Sequence, residues 1–438
     1  MWLGAGRFFA MKLCRLSVLI AFAVAGTARP VAAAESTVRL TRVPAHGVQP
    51  KAVLDQNGTL HLVYLAGDAG GSDVFYTRRK AGESAFAKPL RVNQTPGSAV
   101  AMGTIRGARL ALGQAGRVHV AWNGSHKAGK DGHGAPMFYT RLKQDGNGFE
   151  PERNLMTRTR ALDGGGAVVA DAKGNIQVVW HAAPLDAGHG ENARGVYVAK
   201  SSDHGKTFAR EVSINTLPGT CGCCGLDAFL DRDGKLLPLY RGVNDAQRDM
   251  TLLVGNQPAA AKSLIVGPWE VRTCPMSAAA FAQTPGGIAG AWEARGNIHL
   301  GWFGTGKPVV KNSTLIHRKA YQRHPSIATN PGGAMLVAWS ENTGWKKAAT
   351  SPGTFTTPRP SQPTDRANAP TACPSGASPP PSPTPTAHSR SCTDPAWPSG
   401  IEEFTSKKLA SAAVQRGQSA HGSAGSITGT LSDAEIAQ

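Results

Sequence analysis

Apolar and polar residues alternate in short runs along the chain, and the runs are too brief for helices but suit half-buried strands. The clearest open on a glycine and end six residues later on an aromatic: Gly58 to Tyr64, Gly116 to Trp122, Gly174 to Trp180, Gly234 to Tyr240, Gly286 to Trp292 and Gly333 to Trp339. Each is preceded by a short apolar segment and followed by a second aromatic strand. In the first unit these are Lys51 to Leu54 and Asp73 to Arg78, in the second Ala108 to Leu112 and Met137 to Arg141, and in the third Gly166 to Ala170 and Gly195 to Lys200. Asn57-Gly58 and Lys173-Gly174 sit where such a chain must reverse tightly. A whole sheet repeated six times predicts an all-β fold, a six-bladed propeller of small antiparallel sheets around a channel, with the six terminal aromatics packed between blades.

A closed ring leaves no free sheet edge, so Thr37 to Val43 is expected to supply the outer strand of the last blade. The sixth unit starts regularly at His324 to Ala328 and Met335 to Trp339, then loses its pattern. From Ser351 to Gly400 the chain holds thirteen of its thirty prolines. Two readings stay open for 348–438, a disordered Pro-rich, low-complexity tail and an altered reading frame after Lys347, and both leave the last blade incomplete. At the other end, Lys12 and Arg15 precede the apolar run Leu16 to Ala25, and Ala32-Ala33-Ala34 offers a small-residue cleavage site. This reads as a signal peptide over 1–34, with the propeller domain over 35–347 and a secreted or periplasmic product. The apolar run is short and interrupted by Arg29-Pro30, so no stable membrane insertion is expected after cleavage.

The net charge of +18 admits an anionic partner, yet the lysines and arginines are scattered rather than gathered in a stripe, which argues against nucleic acid. Acidic glycans or cell-surface polymers suit the same field better. A monomer without a cofactor is expected.

One turn is distinctive. Ser201-Ser202-Asp203-His204-Gly205-Lys206-Thr207-Phe208 joins a carboxylate able to bond turn amides, a glycine for tight backbone and an aromatic to pack beneath the hairpin. Phe86 and Phe149 hold the matching place in earlier units. On these residues the chain resembles the Asp-box, or BNR repeat, sialidase-like propellers. The resemblance implies a structural turn on the outer hairpin, far from the central cavity, and a carbohydrate or glycoconjugate ligand. It points to an exo-acting glycoside hydrolase on sialylated or other acidic glycoconjugates, with a noncatalytic carbohydrate- or protein-binding scaffold as the alternative.

Sialidases clamp the sugar carboxylate with three arginines and use a Tyr/Glu pair and an Asp for cleavage; paired guanidinium donors suit a planar carboxylate. Here Val48-Gln49-Pro50-Lys51 stands where their Arg-Ile-Pro-like segment lies, and no catalytic tyrosine can be assigned, because Tyr240 occupies the repeated core position and the late chain has only Tyr321. The remaining candidates are a clamp of Arg241, Arg272 and Arg323 from three successive blades, Asp163 as acid/base, and Glu293 projecting into the channel mouth. Arg109, Asp227, Glu341, His126, His133, His181, His189 and His324 complete a charged, His-rich rim.

Four of the seven cysteines fall in the ring, as Cys221-Gly222-Cys223-Cys224 and Cys274. Both motifs lie just before an innermost strand of adjacent blades, so they should meet at one end of the channel. Export favours disulfides, one between blades and one within the first cluster. Four thiols holding a soft metal ion, or a redox pair, remain the other readings.

Overall fold

The computed structural model describes residues 41–129, 134–215, 219–231, 233–254, 261–285, 287–303, 311–314, 321–331, 333, 335–341, 351–358 and 401–404. The expected signal peptide over 1–34, residues 35–40, His133 and most of 348–438 lie outside the described residues.

Strand pairing follows the repeat. The first sheet is Val48–Leu54, Leu60–Asp68, Gly71–Arg79 and Leu90–Arg91, and the second is Arg109–Leu112, Val118–Asn123, Met137–Arg141 and Arg153–Asn154. The third runs Ala167–Ala170, Ile176–Pro184, Gly195–Ser201 and Val212–Ser213, with Thr159–Arg160 added against its second strand. Asp227–Leu230, Leu236–Arg241, Met250–Val254 and Lys262–Gly267 make the fourth, and Ala279–Thr284, Gly287–Ala294, Asn297–Phe303 and Lys311–Thr314 the fifth. A sixth begins with Gln322–Thr329 and Met335–Glu341 and is extended by Ser351–Pro358 and Ile401–Phe404. Two of its four strands thus come from beyond Lys347, where the sequence shows no strand pattern. Ile401–Phe404 holds the outer place expected for Thr37 to Val43, and Thr41 to Val43 form no strand.

The core lies between sheets rather than within any one of them. Val63, Val74 and Tyr76 of the first sheet pack with Leu110, Val120 and Trp122 of the second. Met137 and Tyr139 of the second pack with Val178 and Trp180 of the third, and the remaining neighbours are joined in the same way. Tyr64, Trp122, Trp180, Tyr240, Trp292 and Trp339 are all buried at 3% exposure or less. The last five lie in the clusters between sheets and make one wedge stick to the next, whereas Tyr64 stacks on Phe75 of its own sheet at 5.7 Å. The innermost strands pack in chain order from the first sheet to the sixth, and Lys51 Nζ of the first lies 3.4 Å from Asp227 Oδ2 of the fourth, across the channel. This is a β-propeller arrangement of small antiparallel sheets.

Short carboxylates hold its turns. The N–H groups of Asn57 and Thr59 donate to Asp55 Oδ1, and the same pattern returns at Asp171 and Asp231. In the outer turn, Thr207 donates its N–H and hydroxyl to Asp203, while Gly205 N–H donates to Ser201 Oγ at 2.9 Å. The Thr207 bonds hold the Asp203 carboxyl well below its usual range. Gly205 has φ +76° and lies so close to the Tyr139 hydroxyl that a Cβ would clash. Phe208 meets Tyr139 edge-on at 4.7 Å, as Phe149 meets Tyr76. Each outer turn therefore seats on the preceding sheet. Among the described residues, no helix is long and apolar enough to cross a membrane.

Candidate functional site

Inter-sheet connections and the loops after the second strands gather at one end of the ring, and the polar groups there form three constellations, the first and third of which share Arg248 and Ser277.

The first surrounds Arg241, the last residue of its strand. Arg241 is 1% exposed and bonded through all three guanidinium nitrogens. Nη2 donates to Ser277 Oγ at 2.7 Å and to the Glu293 carbonyl at 2.6 Å, Nη1 donates to the Arg248 carbonyl at 2.7 Å, and the cation lies 4.9 Å above Trp269. Arg241 ties the fourth sheet to the fifth and, buried with four of its five N–H groups bonded to protein, does not present its fork to a ligand carboxylate. Arg272 is exposed on the connecting loop, and Arg323 is stacked 4.9 Å from Tyr321. The three arginines thus have three different roles and do not form the expected clamp.

Glu293 faces inward rather than into the mouth. It is completely buried, and among the described residues neither carboxylate oxygen has a hydrogen-bond partner. Arg323 Nε is 3.9 Å from Oε1. Burial dominates, pushing the carboxyl up to about 8 against the opposing charges of Arg323 and Arg241. Beside this group lies a cleft of about 390 Å³ lined by Trp269, Val271, Thr273, Cys274, Pro275, Tyr321 and Arg323. The sequence could not single it out, because Trp269 and Tyr321 lie outside the repeated phrase.

Asp163 is elsewhere. Arg106, which sequence reasoning passed over, pairs with its carboxylate and donates from Nε to its carbonyl at 2.8 Å. Asn123 donates to the same carbonyl and to that of Gly164. The arrangement pins the Asp163-Gly164 loop. Asp227 is held by Lys51, and Glu341 accepts from Trp339 Nε1 at 3.1 Å. His181 bonds the Cys224 carbonyl at 2.9 Å, with burial holding its imidazole down at about 4. His189 and Arg194 line a second, smaller cavity of about 160 Å³.

The cysteines form the third constellation and meet as expected. Their four Sγ atoms all lie within 4.8 Å of one another. Cys223 and Cys274 are disulfide-bonded and join the connections that lead into the fourth and fifth sheets. Cys221 and Cys224 are free and buried, with Sγ atoms 3.2 Å apart, so the second expected bridge is not formed. Arg248 Nη1 donates to Cys221 Sγ at 3.3 Å. Burial opposes a thiolate on Cys224, but the bond from Cys221 and the charge of Arg241 outweigh it and bring that thiol down to about 6, while Cys221 is driven up.

No family model matches the chain, and no curated protein matches it. Among solved structures it is similar to a protein of unknown function from Dyadobacter fermentans at 13% identity and TM-score 0.48, covering 71% of this chain and 93% of that one. It is similar to a sialidase from Streptococcus pneumoniae at 8% identity and TM-score 0.47, covering 70% and 68%. An α-L-arabinofuranosidase from Fusarium graminearum matches at 12% identity and TM-score 0.44, covering 67% and 88%. These likenesses concern the fold alone, since one propeller scaffold serves many chemistries.

Proposed function

We propose that this chain is an exported propeller that binds a carbohydrate or glycoconjugate carrying an acidic group, without cleaving it. The supporting observation is the 390 Å³ cleft, in which two aromatic side chains, Trp269 and Tyr321, stand with Arg323. Aromatic faces cover the apolar face of a sugar ring, and a guanidinium fork donates to both oxygens of a planar carboxylate. Recognition is favoured over hydrolysis because the carboxylates needed for cleavage are dispersed: Asp163 is committed to Arg106 and Asp227 to Lys51. Titrating the full chain with sialylated and uronic-acid oligosaccharides tests the reading. Arg323→Ala should weaken binding by roughly 10- to 100-fold, the worth of a hydrogen bond to a charged group. Retention of full affinity by that variant, or binding confined to neutral sugars, would sink it.

A second reading rests on Glu293, a carboxyl that keeps its proton at neutral pH beside the cleft. Glu293 is then a general acid that reaches the cleft when Arg323, which lines the cleft and lies 3.9 Å from its carboxyl, swings aside. Under this reading a panel of aryl glycosides is turned over, the rate falls as pH rises through about 8, and Glu293→Gln abolishes it. Binding with no turnover by the unmodified chain excludes the hydrolase.

A further inference from the structure

The sulfur cluster is not used by the binding reading and has more sulfur than a bridge requires. One disulfide suffices to join two loops, yet two further cysteines from the same connection bring their sulfurs to the same point, at 1% and 2% exposure. Sγ of Cys221 lies 3.6 Å from that of Cys223 and 3.2 Å from that of Cys224. These are close to the roughly 3.8 Å edge of a tetrahedron whose sulfurs stand about 2.3 Å from a central ion.

The four cysteines pack with buried Val243, but polar groups also approach their sulfurs. A structural buried cysteine sits among apolar groups as a small hydrophobe. Here a guanidinium N–H of Arg248 is aimed at Cys221, and Arg241 reaches Ser277, whose hydroxyl stands 4.0 Å from Cys224 Sγ. Arg248 against Cys221, and Arg241 one hydroxyl removed from Cys224, offset part of the excess negative charge of a four-thiolate centre. The loop is also held from behind, since Glu191 accepts from Gly222 N–H at 2.9 Å and pairs with Arg248 at 2.7 Å. Anchoring of this kind orients ligand side chains from outside the site.

We propose that Cys221, Cys223, Cys224 and Cys274 together bind one soft, thiolate-seeking metal ion of the zinc or copper(I) class when the Cys223–Cys274 bond is reduced. Reduction consumes an external dithiol, which gives two electrons and two protons to the bridge and leaves as its own disulfide. The four thiols then release their protons to solvent as the ion enters. An all-sulfur donor set selects such ions over hard cations. The same four sulfurs therefore have an oxidised form, with one bridge and two thiols, and a metal-loaded reduced form.

The full chain, reduced with a phosphine and desalted, is exposed to zinc, copper(I) or cobalt(II). The bound metal is then measured by elemental analysis and accessible thiols by alkylation. One ion per chain, protection of all four ring cysteines, and a sulfur-to-cobalt charge-transfer band are expected, and the preferred metal decides between the zinc and copper sources. Cys221→Ser and Cys274→Ser should each cost more than the roughly 10- to 100-fold typical of an outer partner, with circular dichroism confirming that both variants keep their strands. The wild-type chain also decides the matter alone. If it retains no ion after reduction, or binds equally well with the Cys223–Cys274 bond intact, the four-sulfur site is wrong.

Discussion

Buried imidazoles make the protein sensitive to acid. His119 is 1% exposed and bonds the Tyr139 hydroxyl at 2.7 Å. Burial, reinforced by Arg117, Arg141 and His204, brings it down from 6.5 to about 3. Above pH 6.5 this ring is neutral in both the folded and the unfolded chain, so no proton linkage acts. Between 6.5 and about 3 only the unfolded chain takes the proton, and the folded state loses about 1.4 kcal/mol per pH unit for each such group. His181 and His324, both brought to about 4 chiefly by burial, add to the same loss. His119→Gln should therefore flatten the fall in stability on going from pH 7 to pH 5. Thermal unfolding of both proteins at the two pH values measures it, and equal slopes would show that His119 does not titrate in the unfolded chain alone.

At the scale of elements, the second strands were legible because cover from a neighbouring sheet on each face calls for short, nearly continuous apolar runs, as at Val118–Asn123 and Leu236–Arg241, which are buried throughout. Asp55, Asp171 and Asp231 were equally visible three residues before a turn glycine, but they show only as ordinary polar residues until their amide partners are known. The outer turns contain a less obvious device, Phe149 and Phe208 each followed three residues later by glutamate. Glu152 accepts the N–H groups of Gln94 and Thr95, and Glu211 accepts those of Thr157 and Arg158, so each carboxylate fastens the connection leaving the preceding sheet. Burial opposes ionisation of Glu211, yet these bonds prevail and hold its carboxyl below the usual 4.5. Its stabilisation is thus complete above that pH and is lost as acid protonates it. Glu211→Ala leaves donors unpaired and should destabilise the fold by about 1–3 kcal/mol, read from denaturant midpoints at pH 7. The site was less legible for a physical reason. A charged residue after a core aromatic can point to the mouth or back into the joint between sheets, and Arg241 and Glu293 both point back because Ser277 and Arg323 receive them there.

For the whole molecule, a ring made only of neighbour contacts could open at one joint without disturbing the opposite side. The Lys51–Asp227 pair changes that, since it links the innermost strands of the first and fourth sheets across the axis. Asp227 is 8% exposed at its side chain and Lys51 31%, so the pair is less screened than a surface bridge but not dry. A coupling of about 1 kcal/mol is the fitting scale, at the upper end for exposed pairs. A double-mutant cycle with Lys51→Met and Asp227→Asn isolates that term from the cost of each change alone. The expected result is a positive coupling in global unfolding that shrinks as salt is added, because partly solvated charges are screened. Were the two sheets energetically independent, the two losses would simply add, and the channel would be a gap between separately stable halves rather than a joint that both sides hold closed.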